Sequence, residues 1–213
     1  MTKNLDHVDV RGELTLGKNV EIDVNVIVKG KVHLGDGVTV EPNCILEDSQ
    51  IGNGSRIRAY SMVEAASIGP ACIVGPYARI RAGTRIGEGA QIGNFVEVKE
   101  SEIGAGAKIN HHAFIGNCSV GRDVIIGAGT ITCNYDGRET QLTRIGEGAF
   151  IGSGCQLVAP ISIGARAVIG AGSTVTQDAP AERLTLARGR QVSIEGWRRP
   201  GVVDQDGDDG DGR

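Results

Sequence analysis

Aliphatic residues recur at every sixth position along most of this chain. Val10, Leu16, Ile22, Val28, Leu34, Val40 and Leu46 open the series. The register then loses one residue and continues through Ile51, Ile57 and Val63. It slips again to begin new runs at Ile68, Ile103 and Val120, and after an interruption it resumes at Ile145 and reaches Val175. A small residue stands four places after many of these aliphatics, as at Ala90, Ala113, Thr130, Ala149, Ala167 and Ser173. A period of six is neither the helical 3.6 nor the strand's 2. Hexapeptide repetition predicts an all-β chain, a parallel β-helix in which three hexads make one triangular coil. Successive coils stack at about 4.8 Å, with the aliphatics pointing inward as ladders. The one-residue slips read as shortened corners that keep the ladder intact. Cys44, Cys72 and Cys155 fall on the small inward position and are expected to be buried. Cys118 and Cys133 fall off it.

The pattern also sets boundaries. It predicts a β-helix over 1–180 with a loop insertion at 133–144, an arm at 181–200 rich in arginine, and an acidic, glycine-rich tail at 201–213 expected to be disordered. Composition agrees with a core of small aliphatics: 33 glycines and only 3% aromatic residues. A net charge of -4 argues against nucleic acid as a partner, since phosphate backbones want a basic face. The N-terminal MTKNLDHVDV carries no apolar run, and no stretch is apolar for long enough to span a membrane. The five cysteines lack the paired spacing of a zinc ribbon or disulfide framework. A cytoplasmic protein with reduced thiols is expected.

The candidate chemistry lies where the regularity breaks. Glu102–Gly137 holds the adjacent pair His111–His112 and then the turn-forming Asn-Tyr-Asp-Gly at 134–137. By coil counting, Ile80 and Val98 begin equivalent hexads, so Arg81 and Lys99 should stack on one rim about 5 Å apart. Like charges that close call for a counter-anion, a phosphate for instance, or for a carboxylate such as Glu64 or Glu97. His111 has Asn94 one coil below and Ala128 one coil above, and is expected a few residues along the strand from that rim. A histidine beside an anion site can take a proton from an amine. No metal is expected: His33 falls about four and a half coils below His111, roughly 20 Å away.

The stretches VRGELTLGKNVEIDVNVIVKG, GPYARIRAG, GNFVEVK, IGAGTITCNYDG and EGWRRP resemble the acetyltransferase domain of the bacterial bifunctional N-acetylglucosamine-1-phosphate uridyltransferase/glucosamine-1-phosphate acetyltransferases, which are hexapeptide-repeat acyltransferases. The resemblance implies a left-handed coil, a homotrimer with sites between subunits, and acetyl-CoA as co-substrate. It implies His111 as general base toward a sugar amine, with Arg81 and Lys99 holding the sugar phosphate. Ala128, Asn134, Tyr135, Ser153, Ala171 and Arg188 match the family's acetyl-CoA contacts. Three substrate-side positions depart from the family: Phe114 replaces a tyrosine, Ile125 an asparagine and Thr140 a lysine. The stretches that match cover no uridyltransferase domain. The expected activity is acetyl transfer to an amino-sugar phosphate, glucosamine-1-phosphate first. The alternatives are another amine acceptor, or a β-helix that binds CoA or a protein without turnover.

Overall fold

The computed structural model describes residues 7–197. The last residues of the arm, 198–200, and the acidic tail lie outside the described residues. Twenty-five short strands form one continuous parallel ladder, and no helix occurs among the described residues. Most rungs lie 17 or 18 residues from the next, widening to 25 where the loop insertion intervenes, as between Cys118 and Thr143. Val8 faces Val26, Ile27 faces Ile45, Ile45 faces Met62 and Met62 faces Arg79. The architecture is a left-handed parallel β-helix of hexapeptide coils.

The aliphatic ladders meet inside. Leu34, Ile51, Ile57, Ile80, Ile92, Ile109, Ile115 and Ile151 are fully buried, and so are Ala90, Thr130, Ala149, Ala167 and Ser173 at the small inward position. No coil encloses its own apolar edge, so burial comes from stacking. The first coil shows this from the other side. Val10 and Leu16 carry the right periodicity yet remain 42% and 36% exposed.

The slips are shortened corners with a rule of their own. After Leu46, Val63, Val98 and Ile115 the left-handed corner residue comes early, at Asp48, Ala65, Glu100 and Asn117. The inward small residue is then three places along instead of four: Ser49, Ala66, Ser101 and Cys118, all buried. The Ser101 hydroxyl donates to Lys99 O at 2.7 Å and accepts the Cys118 N–H at 3.1 Å, so the buried hydroxyl is satisfied. Cys118, which the six-residue count leaves unplaced, is thereby an inward residue.

Burial makes these thiols poor nucleophiles, because desolvation disfavours the thiolate. It pushes Cys118 up to about 12 and Cys44 up to about 11, and it raises Cys72 and the half-buried Cys133. Alkylation of the native protein at pH 7–8, followed by mass spectrometry, is expected to mark Cys133 first and slowly. Cys44 and Cys118 should react only after unfolding. Rapid native labelling of Cys118 would contradict this packing.

Among the described residues no helix is long and apolar enough to cross a membrane.

Candidate active site

Two nine-residue strands carry the candidate site. Gln91–Lys99 runs beside Lys108–Gly116, with Asn94 opposite His111, Glu97 opposite Phe114 and Lys99 opposite Gly116. Both strands bend at a left-handed residue, Phe95 (φ 57°) and His112 (φ 39°). These belong to one corner file that climbs the coil as Asn25, Asn43, Tyr60, Tyr77, Phe95 and His112, then Gly129, Gly154 and Gly172. The lower part is filled by rings: Tyr60 stacks on Tyr77 with centroids 4.9 Å apart, and Tyr77 on Phe95 at 5.3 Å. Above His112 the side chains stop. A Cβ at Gly172 would meet nothing within 4 Å. The glycines keep the left-handed turn at low steric cost and leave the upper corner bare.

One residue before the corner runs a second file: Asn94, His111, Ala128, Ser153 and Ala171. His111, Ala128, Ser153 and Ala171 are exposed. Arg188 closes the file at the top, its Nη1 donating to Ala171 O at 2.9 Å. His111 thus sits at the foot of a small-residue groove edge. Its Nδ1 lies 3.0 Å from Asn94 Oδ1. A carboxamide oxygen only accepts, so this assignment puts the proton on Nδ1 and leaves the Nε2 lone pair free.

The Arg81–Lys99 pair differs from expectation in two ways. The rung is as counted, with Ile80 opposite Val98, and both cations line a cleft of about 270 Å³ with Glu64, Arg79 and Glu100. Within one chain, however, the cleft lies past the corner at His112, on the next face from His111. Lys99 is level with Gly116, five residues along from His111. Counting hexads fixes the coil a residue belongs to, but not that the chain turns between His111 and Phe114. The counter-charge is also already present. Arg81 Nη1 donates to Glu97 Oε1 at 2.7 Å, and Lys99 Nζ is 3.6 Å from Glu100 Oε1. Glu97, named as the alternative partner, is the one that Arg81 takes.

The remaining positions divide by face. Phe114 follows the corner and lines a cleft of about 260 Å³ with Phe95, Glu97, His112 and Ile131. Ile125 lies on the His111 side, 42% exposed, opposite Lys108 and Phe150. His112 faces the Phe114 cleft, while His111 lines a separate cleft of about 290 Å³ with Arg58, Gln91, Asn94 and Asn110. Arg58, Gln91 and Asn110 were not singled out by the sequence. Arg58 is three coils from Asn110, and only the register brings them together.

The interruption is tighter than its sequence suggests. Ile131–Cys133 still pairs with Gln156–Val158, and the chain rejoins the ladder at Thr143 opposite Cys118. Thr132 stands where an aliphatic belongs, so the period fades before the chain leaves the coil. Its Oγ1 accepts the Gly116 N–H at 2.8 Å and replaces apolar contact with a satisfied hydrogen bond. Between them the loop closes on itself. Asn134, 7% exposed, donates from Nδ2 to Gln141 O at 2.8 Å, and Asp136 Oδ1 accepts from the N–H groups of Arg138 and Glu139 at 2.8 and 2.7 Å. These bonds hold the Asp136 carboxyl below the usual carboxylate range. Within one chain Asn134 therefore holds the loop base, while Tyr135 is left exposed at 70% with its hydroxyl donating to Gly137 O. Among the described residues no three His, Cys, Asp or Glu side chains gather as a metal site would require.

The coil and its groove define a hexapeptide-repeat transferase. Residues 142–177 match the family described as bacterial transferase hexapeptide (six repeats), and residues 10–88 match the GMPPB C-terminal domain. The bifunctional protein GlmU of Alkalilimnicola ehrlichii is 53% identical over 92% of this chain and 42% of its own length. The bifunctional protein GlmU of Methylococcus capsulatus is 55% identical over 90% of this chain and 42% of its own length. The chain therefore spans less than half the length of these relatives. The solved Arabidopsis UDP-N-acetylglucosamine acyltransferase shares the fold, with a TM-score of 0.53 at 20% identity over 85% of this chain and 70% of that one. Over about nine-tenths of its own length the chain is similar to these GlmU proteins, and its coils match the hexapeptide-repeat transferases.

Proposed function

We propose that this chain transfers the acetyl group of acetyl-CoA to the amine of an amino-sugar phosphate, glucosamine-1-phosphate first, as a cytoplasmic homotrimer. The observation that carries the reading is His111 at the foot of the bare glycine corner, with Nδ1 anchored on Asn94 and Nε2 free. Ala128, Ser153 and Ala171 would border the pantetheine arm without obstructing it, Arg188 would cap the groove, and Asn134 and Tyr135 would present the loop toward the nucleotide end. His111 Nε2 would take the proton from the amine as its nitrogen attacks the thioester carbonyl. The C–N bond forms, the C–S bond breaks, and CoA leaves as the thiol once it has regained a proton. Arg81 and Lys99 would hold the acceptor's phosphate. Since one chain holds them on a different face from His111, this role requires a site formed between two subunits.

A release assay with acetyl-CoA and a panel of amines, including glucosamine-1-phosphate, tests the reading. Acceptor-dependent release of CoA thiol is expected; acetyl-CoA binding with no release for any amine would leave a non-catalytic coil. Arg81→Ala is expected to raise the acceptor KM by roughly 10- to 100-fold, the worth of a hydrogen bond to a charged group. An unchanged KM would reduce the rim to an ordinary surface ion pair. A second reading, the same transfer to a different amine, is favoured by Phe114, Ile125 and Thr140, where family polar groups are absent.

A further inference from the structure

We infer that the ring ladder of Tyr60, Tyr77 and Phe95 is where a second copy of this chain docks, through its Met62 and Arg79, and that the contact sets His111 of one chain beside the Arg81–Lys99 rim of the next. The inference rests on the shared-site acetyl transfer proposed above and names the surface that would build that site. It starts from a conflict within one chain. Tyr60, Tyr77 and Phe95 hold the left-handed corner at φ 61°, 55° and 57°. A bulky side chain is costly there, and the same file turns on Asn25 and Asn43 below and on Gly129, Gly154 and Gly172 above. Burial within the chain does not offset that cost. Each ring is still about half exposed, although it stacks on its neighbours. The chain has only three Tyr and three Phe, and half of them stand in this one exposed column.

Register identifies what the ladder meets. The shared site brings the corner at His112 of one chain against the face that carries Arg81 and Lys99 in another. Such a contact joins two different surfaces, and three copies close it into a ring. With the axis of that ring along the coils, residues at equal height face each other. On the partner's face an outward column descends one rung at a time through Glu97, Arg79, Met62 and Ile45. Tyr60 stands two residues before Met62, Tyr77 two before Arg79 and Phe95 two before Glu97. Each ring is therefore level with one member of the column.

The chemistry of the column fits the rings. Stacking hides the ring faces and leaves the edges and the two phenol oxygens outward. Among the described residues neither the Tyr60 nor the Tyr77 hydroxyl has a hydrogen-bond partner. Met62 is half-buried, and a thioether sulfur packs well at a ring edge. Arg79 is exposed, and no ion pair among the described residues includes it. Its guanidinium is free to donate to a phenol oxygen at the level of Tyr77. Phe95 is level with Glu97, which Arg81 already holds at 2.7 Å. There the ladder ends and the shared cleft begins.

The test reads assembly of the full chain and needs no turnover. Tyr60→Asn combined with Tyr77→Asn places at the corner a residue that this file already uses there, so the coil should keep its β circular-dichroism signal. Sedimentation equilibrium is expected to give a trimer for the parent. For the double variant the trimer's dissociation constant should rise roughly 30-fold or more, the effect of losing an aromatic hot spot. A benzophenone amino acid in place of Tyr77, irradiated in the assembled protein, should cross-link to Met62 or Arg79 of another chain, as read by mass spectrometry. A parent that sediments as a monomer, a double variant that assembles as the parent does, or cross-links that miss Met62 and Arg79 would each overturn the proposal. The acetyl transfer is judged separately. Ladder-dependent assembly with the expected cross-link, but no CoA release for any amine, keeps the docking surface and removes the activity. Release retained by a double variant that assembles like the parent removes the docking surface alone.

Discussion

Replacing His111 with alanine is expected to lower turnover by about 10²- to 10⁴-fold, the usual worth of a positioned general base. Stability should hardly change. The ring is exposed, its one hydrogen bond is to the half-buried Asn94, and exposed substitutions commonly cost within about 0.5 kcal/mol. The loss should fall on kcat with acetyl-CoA binding kept, because the groove edge above His111 is formed by Ala128, Ser153 and Ala171. Steady-state kinetics with a thermal melt checks both halves. A variant that melts like the parent and turns over within a few-fold of it would remove His111 from the mechanism.

Much of the scaffold was legible because each coil repeats one packing problem. The inward ladders and the rung between Arg81 and Lys99 follow from counting sixes, and the ladder keeps them in place. The corners were less legible. Asn25, Tyr60, Phe95 and His112 share one left-handed position without sharing chemistry, so the turn between His111 and Phe114 leaves no mark in the hydrophobic period. The consequence is specific. His111 and Lys99, twelve positions apart, lie on different faces, and the partner that shares the cleft with His111 is Arg58, far away in sequence. Cys118 was missed for a related reason: the slip from Ile115 to Val120 shortens the corner by one and moves the inward position from four places after the aliphatic to three, where a count of four passes it over. The fading period at Thr132 is different again, since a buried hydroxyl bonded to Gly116 replaces an aliphatic rung. The groove edge of Ala128, Ser153 and Ala171 reached its place through family resemblance, because small exposed residues have no distinctive pattern.

The second large effect is expected from a single methyl group. A Cβ at Gly93 would stand 2.0 Å from Asn110 O, 2.6 Å from its carbonyl carbon and 2.7 Å from its Cα. All three are backbone atoms of the next coil, so no side-chain rotation relieves the clash and the rungs themselves must part. Gly93 is next to Asn94, and Asn110 is next to His111. Gly93→Ala therefore strains the pairing that aligns Asn94 with His111. Overpacking of this kind costs about 1–3 kcal/mol, and a rigid backbone neighbour argues for the upper end. The activity should fall further than the stability does, since displacing a catalytic group by about 1 Å can cost roughly 100-fold. Gly189→Ala is the matched comparison, because its added Cβ meets nothing within 4 Å. The expected pattern is a lower melting temperature and a kcat reduced roughly 100-fold for Gly93→Ala, with Gly189→Ala close to the parent in both. If Gly93→Ala kept the parent's melting temperature and turnover, the close contact between these two coils would not be what positions His111.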